Sequence, residues 1–195
     1  MSHRPARAAL CAAAVLLAAL AAPAHATDVA LPGDGTWLEF DVDSFAAPSF
    51  GTGWIDQGDG SPLSFSFTVA AGHTATLTVV DAGFAGDTFA VTNHGAALGA
   101  TSAVPAGTAD GDVVFDFDAA LADPAYSRGT WTLGPGSYAI GGSLLQSVTM
   151  DGAALDATDG GIRLATSVPE PALPALLVAG LAVVGAAARR RKNAA

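Results

Sequence analysis

The chain has 195 residues, a formal charge of −10 at pH 7 and one cysteine. Phosphate recognition needs clustered cations, so an acidic chain of this kind is not a nucleic-acid binder. A lone thiol rules out a disulfide framework within the chain and a thiolate metal centre.

The first segment is an export signal. Arg4 and Arg7 form a positive start, and Ala8–Ala22 is an apolar run with Val15, Leu16, Leu17 and Leu20. Pro23 ends it, and Ala24-His25-Ala26 offers small residues at the cleavage positions. Residues 1–26 are therefore expected to leave as a signal-peptide helix, giving a mature start at Thr27. Cys11 goes with them, so the mature protein carries no thiol.

Residues 27–167 are long enough for one domain. Arg128 and Arg163 face sixteen aspartates and Glu39 there, a net of −15. Such a surface suits solubility outside the cell, repulsion between copies, or binding of divalent cations. Apolar and polar residues alternate over Trp37–Asp43, Leu63–Val69, Thr74–Val79 and Asp112–Asp118. Period 2 is the pattern of strands with one dry face and one wet face. Shorter strand-like runs cover Thr88–Thr92, Ser137–Ile140, Leu144–Met150 and Gly161–Thr166. Turn clusters separate them, among them Gly51-Thr52-Gly53, Asn93-His94-Gly95 and Asp159-Gly160-Gly161. The one helix-like interval, Ala119–Tyr126, is interrupted by Pro124. This predicts an all-β fold, a single antiparallel sandwich or jelly-roll-like domain, flanked by the signal-peptide helix and a C-terminal transmembrane helix.

The stretch Thr76–Val91, followed by Gly95 and Leu98-Gly99, resembles a segment recurring in uncharacterised exported bacterial β-sandwich proteins. Leu133–Tyr138 is similar to a later strand of that pattern. The resemblance implies a sandwich and no known chemistry. In it Asp81–Asp87 reads as a loop between strands. Gly83 and Gly86 take positive φ there, Phe84 plugs the sandwich end, and Asp87 caps backbone N–H groups.

Candidate sites in the body are few. Nucleophilic catalysis needs a base beside Ser or Thr. The mature body offers only His73 and His94, both next to glycine in turns, and no Gly-x-Ser-x-Gly elbow. Two carboxylates could hydrolyse a glycoside, but seventeen acids make some close pair inevitable. Calcium takes carboxylate and carbonyl oxygens on glycine-rich loops. Asp56 and Asp59 in one loop, and Asp110 and Asp112 in another, have that chemistry, and Asx turns are the plainer reading of both. Trp37, Trp54, Trp131 and Tyr138 could stack on a sugar, or could simply fill the core.

The tail, Val168–Ala195, is the most specific stretch. Val168-Pro169-Glu170-Pro171 precedes an uncharged run over residues 172–188, then Arg189-Arg190-Arg191-Lys192. At ~1.5 Å per residue that run reaches roughly 25 Å as a helix, the lower edge for a bilayer. Snorkelling cations can extend it, and they keep the C-terminus cytoplasmic. The two prolines hold Val168 and Glu170 out of helical geometry, so the tripeptide stays extended. In this order the three parts resemble the PEP-CTERM sorting signal of Gram-negative bacteria. The resemblance implies that Pro169, Glu170 and Pro171 are recognised by an exosortase, a membrane-embedded cysteine protease, which removes or exchanges the helix. It also implies an association with exopolysaccharide and biofilm. A permanent single-pass anchor is the alternative.

Together these features predict a non-enzymatic structural or interaction module of the cell envelope or extracellular matrix. It would be held in the inner membrane with its body periplasmic, then processed and passed to the cell surface. A carbohydrate- or calcium-binding module, and a carboxylate-dependent hydrolase, are the competing readings.

Overall fold

The computed structural model describes residues 26–167, together with Leu181 and Arg189. Residues 1–25 and nearly all of the tail, with Ala24, the processing motif and all of the predicted membrane helix but Leu181, lie outside the described residues. Among the described residues no helix is long and apolar enough to cross a membrane.

Residues 26–167 form thirteen strands and one short helix. In chain order they are β1 (Thr27–Ala30), β2 (Asp34–Asp43), β3 (Leu63–Val69), β4 (Thr74–Asp81), β5 (Gly83–Phe84), β6 (Thr88–Asn93), β7 (Ala96–Ala100), β8 (Val113–Val114), α1 (Phe117–Ala122), β9 (Arg128–Leu133), β10 (Gly136–Gln146), β11 (Thr149–Met150), β12 (Ala153–Ala154) and β13 (Ala157–Ser167). Two sheets carry the fold, one ordered β1-β3-β10-β6-β7 and the other β2-β13-β4-β9. Their inner faces meet over one apolar core that includes Phe40, Phe65, Leu77, Val79, Phe89, Ile140 and Ile162.

The expected sandwich is present. One pairing departs from the antiparallel expectation: β1 runs parallel to β3, with Thr27 opposite Leu63. The chain leaves β1 for the other sheet as β2 and returns over residues 44–62, the crossover a parallel pair requires. The runs expected at Ser137–Ile140 and Leu144–Met150 are mostly one long strand, β10, with a register shift between Leu144 and Gln146.

Two local expectations are corrected. The alternation over Asp112–Asp118 yields only a two-residue strand, because Asp116 turns the chain into α1. Its Oδ1 accepts the N–H groups of Asp118 at 3.0 Å and Ala119 at 3.1 Å, a side-chain N-cap. The helix covers the outer face of the second sheet, with Phe117 and Ala120 packed near Val80 and Tyr126. The second correction is Asp159-Gly160-Gly161, which lies inside β13 and not in a turn. Both glycines exist for close approach: a methyl group on Gly160 would overlap the Phe40 ring, and one on Gly161 would overlap Phe117. Gly160→Ala is accordingly expected to destabilise the domain by about 2 kcal/mol through overpacking. A lowered urea midpoint with an unchanged m-value is the readout, and an unchanged midpoint would contradict the packing.

Candidate functional site

Acidic residues gather at one end of the second sheet because of strand register. In the antiparallel pair of β2 and β13, Asp41 stands opposite Asp159. Glu39, two residues along, shares the face of Asp41. One carboxylate oxygen from each of the three lies within 4.8 Å of the others. Like charges directly opposed across a strand pair destabilise it, and here one of them is withdrawn from water. Asp41 is only 7% exposed. Burial pushes its carboxyl up to about 8, with a hydrogen bond to Asp159 and the charges of Asp159, Glu39 and Asp56 adding to the effect. Glu39 is also raised, by partial desolvation first and by Asp159 second. Gln57 Nε2 approaches Asp41 Oδ1 at 3.5 Å.

The backbone beside this cluster is well anchored. Ile55 bonds Asp41 in both directions, N–H to carbonyl at 2.8 Å and the reverse at 3.2 Å. This docks Ile55 on the free edge of β2, while Gly53 bridges Ser143 of β10, and Trp54 between them is buried in the core. Next to the cluster an open cleft of about 350 Å³ is bordered by Asp41, Asp43, Gln57, Phe84, Phe115 and Asp159. Phe115 is 64% exposed. Phe84, expected to plug the sandwich end, is half-buried and forms part of this wall.

Three carboxylates beside an amide are a hard-oxygen donor set or a proton-sharing group. As a hydrolytic pair they are poorly spaced. Carboxylate oxygens of Asp41 and Asp159 lie within 4.8 Å of each other, closer than the ~5–5.5 Å of a retaining glycosidase pair.

The calcium candidates read from the sequence are not the residues that cluster. Asp56 Oδ1 accepts Gly58 N–H at 2.7 Å, and Asp59 Oδ1 accepts Ser61 N–H at 2.9 Å. These are Asx turns. Asp56 nevertheless reaches the rim of the cluster, where it repels Asp41. Asp110 accepts a hydrogen bond from the Thr108 hydroxyl, and Asp110 and Asp112 are exposed and not members of the group of three. His94 sits in a turn at φ 48°, with Nε2 3.3 Å from the Ser137 carbonyl oxygen.

The four aromatics form no common platform. Trp54 is buried and stacked on Phe40 at 3.9 Å between centroids. Tyr138 stacks on Phe67 at 5.0 Å, and Trp131 packs over Gly129. Trp37 lies beneath the Arg163 guanidinium, 4.4 Å from the ring centroid. The loop expectation at Asp81–Asp87 holds for the glycines, with φ 74° at Gly83 and 128° at Gly86. The capping role is reversed. Asp81 Oδ2 accepts the N–H groups of Gly86 and Asp87, and Asp87 Oδ1 accepts Val148 N–H at 2.7 Å.

The fold and the acidic cluster define a two-sheet β-sandwich domain with a carboxylate-rich end. Residues 167–192 match the family described as the PEP-CTERM protein-sorting motif. The chain thus carries that sorting signal, which makes it an exported protein sorted by an exosortase. No curated protein matches the chain. Among solved structures it is similar to the pre-peptidase C-terminal domain of collagenase from Bacillus anthracis, with 10% identity and a TM-score of 0.36 over 73% of this chain and 97% of that one. It is also similar to PliG of Aeromonas hydrophila, a periplasmic lysozyme inhibitor of g-type lysozyme, with 16% identity and a TM-score of 0.32 over 74% and 97%. Likeness this faint carries no argument about function.

Proposed function

We propose that this protein is a non-enzymatic structural or interaction module of the cell envelope or extracellular matrix, associated with exopolysaccharide and delivered there through its C-terminal signal. The observation that carries the reading is the sorting motif at residues 167–192. Three features support it. Among the described residues pairing begins at Thr27, whose N–H bonds the Pro62 carbonyl at 2.7 Å, as suits a mature chain that starts there. The last strand ends at Ser167, next to the processing motif, and Ser167 is still paired with Thr74. That strand, β13, lies between β2 and β4, so a tether leaving it pulls on an inner strand of the sheet. Finally, the aromatics that could have stacked on a sugar are mostly spent on packing, so contact with polysaccharide falls to the acidic and hydroxyl-rich surface.

Mass spectrometry of the protein from the producing cell tests the delivery step. The expected mature form begins at Thr27 and ends near Val168–Pro171, and Glu170→Ala leaves the chain unprocessed in the membrane fraction. An intact peptide running through Arg189 in wild-type protein would overturn the processing, leaving a permanent anchor on the cytoplasmic stop Arg189–Lys192.

A further inference from the structure

Asp81 ends β4 in the second sheet, and Asp87 immediately precedes β6 in the first. By strand parity each continues its strand's inward row, Asp81 after Leu77 and Val79, and Asp87 before Phe89 and Val91. The two carboxylates therefore stand between the sheets at one end of the core. Both residues are fully buried, at 0% exposure. Asp81 Oδ1 and Asp87 Oδ2 have no hydrogen-bond partner among the described residues.

Buried carboxylate oxygens without a partner are costly, and buried charges are normally paired or bound to metal. The two arginines of the domain are engaged elsewhere. Arg163 bridges Asp118 at 2.9 Å, and Arg128 donates to the Leu121 carbonyl. The surroundings instead add oxygen and negative charge. The Thr158 hydroxyl lies beside Asp87 and 3.4 Å from the Ala82 carbonyl oxygen, and Asp156 adds its charge to Asp87. Carboxylate, hydroxyl and carbonyl oxygens are the donor set of a hard divalent cation.

We propose that Asp81 and Asp87 hold a divalent cation of the calcium class between the ends of the two sheets. The ion would clip the loop that Asp81 already closes over Gly86 and Asp87 to both layers of the sandwich. The site is separate from the surface cluster of Glu39, Asp41 and Asp159, which lies on the outer face of the second sheet, and it does not depend on the partner proposed above.

The test uses the full chain in detergent micelles at pH 8, stripped with a chelator and then titrated with calcium chloride by calorimetry and thermal melting. One site per chain is expected, with a rise in Tm of about 8 °C at a hundredfold excess over Kd. Asp87→Asn abolishes both signals, and Glu39→Gln keeps them. Asp81→Asn is the second variant, since its amide oxygen still accepts from Gly86 and Asp87. No heat and no shift at 10-millimolar-scale calcium would overturn the proposal and leave a proton-sharing pair. So would a response that survives in Asp81→Asn, or one lost in Glu39→Gln, which places the ion on the outer cluster.

Discussion

Trp54→Ala is expected to destabilise the domain by about 4 kcal/mol, the range for a large aromatic removed from a packed core. The ring stacks on Phe40 and meets the edges of Phe65 and Phe89 at 6.4 Å each. It also occupies the space above Gly142, where a methyl group would collide with it. On the Gly142 side the strand offers no side chain to fill the hole. Trp54→Phe is expected to cost far less, about 1 kcal/mol. It keeps an aromatic ring against Phe40, and it removes an indole N–H that is buried with no acceptor among the described residues. Urea midpoints of the two variants separate the effects. Equal losses would mean that the ring volume kept by phenylalanine does not decide the site.

Stability is expected to fall by at least about 3 kcal/mol between pH 5 and pH 8 in the presence of a chelator. The cause is three carboxyls with raised values. Burial pushes Asp81 up to about 8, with the charge of Asp87 adding to it against hydrogen bonds from Gly86, Asp87 and Ser127. Burial pushes Asp87 up to about 6, against the Thr158 hydroxyl and Val148 N–H. Asp41, buried beside Asp159, stands near 8. In the unfolded chain each loses its proton near pH 4. Over the window from 4 to 8 the folded state holds protons that the unfolded state has released, so raising the pH favours unfolding. Asp34 and Asp59, held below the usual carboxylate range mainly by Thr36 and Ser61, titrate under this window. Repulsion within a body of net charge −15 acts in the same direction. Urea midpoints at half-unit pH steps measure the slope, and Asp81→Asn should remove about one proton's share of it. A midpoint that is flat or higher at pH 8 would exclude these assignments. Added calcium should flatten the wild-type slope by replacing the proton with a cation.

Much of the architecture was legible because sheet packing writes itself into neighbouring residues. Leu63, Phe65 and Val69 alternate with polar residues, and all three are buried in β3. The reading failed where a distant partner overrides the local pattern. Gly160-Gly161 has the composition of a turn, and the rings of Phe40 and Phe117 that fill the missing side chains come from other parts of the chain. Over Asp112–Asp118 a capping signal was present in Asp116 followed by Ala119, Ala120 and Leu121, but the Val-Phe-Phe alternation concealed it. The candidate site was the least legible part. Asp41 and Asp159 are ordinary members of an acidic composition until register sets them opposite one another. Asp56, Asp59, Asp110 and Asp112 looked more like ligands because their loops are rich in glycine and aspartate, and that composition turned out to serve local turns.

By itself the sequence determined the C-terminal sorting motif, the acidic thiol-free body and its all-β class. Each of these is a short-range property: a short motif, composition, and period-2 alternation. Tertiary structure alone decided which carboxylates meet, which are taken out of water, and which tryptophan is core. Those outcomes depend on pairing register and on contacts across tens of residues, where a shift of one position would turn Asp41 inward and Phe40 outward.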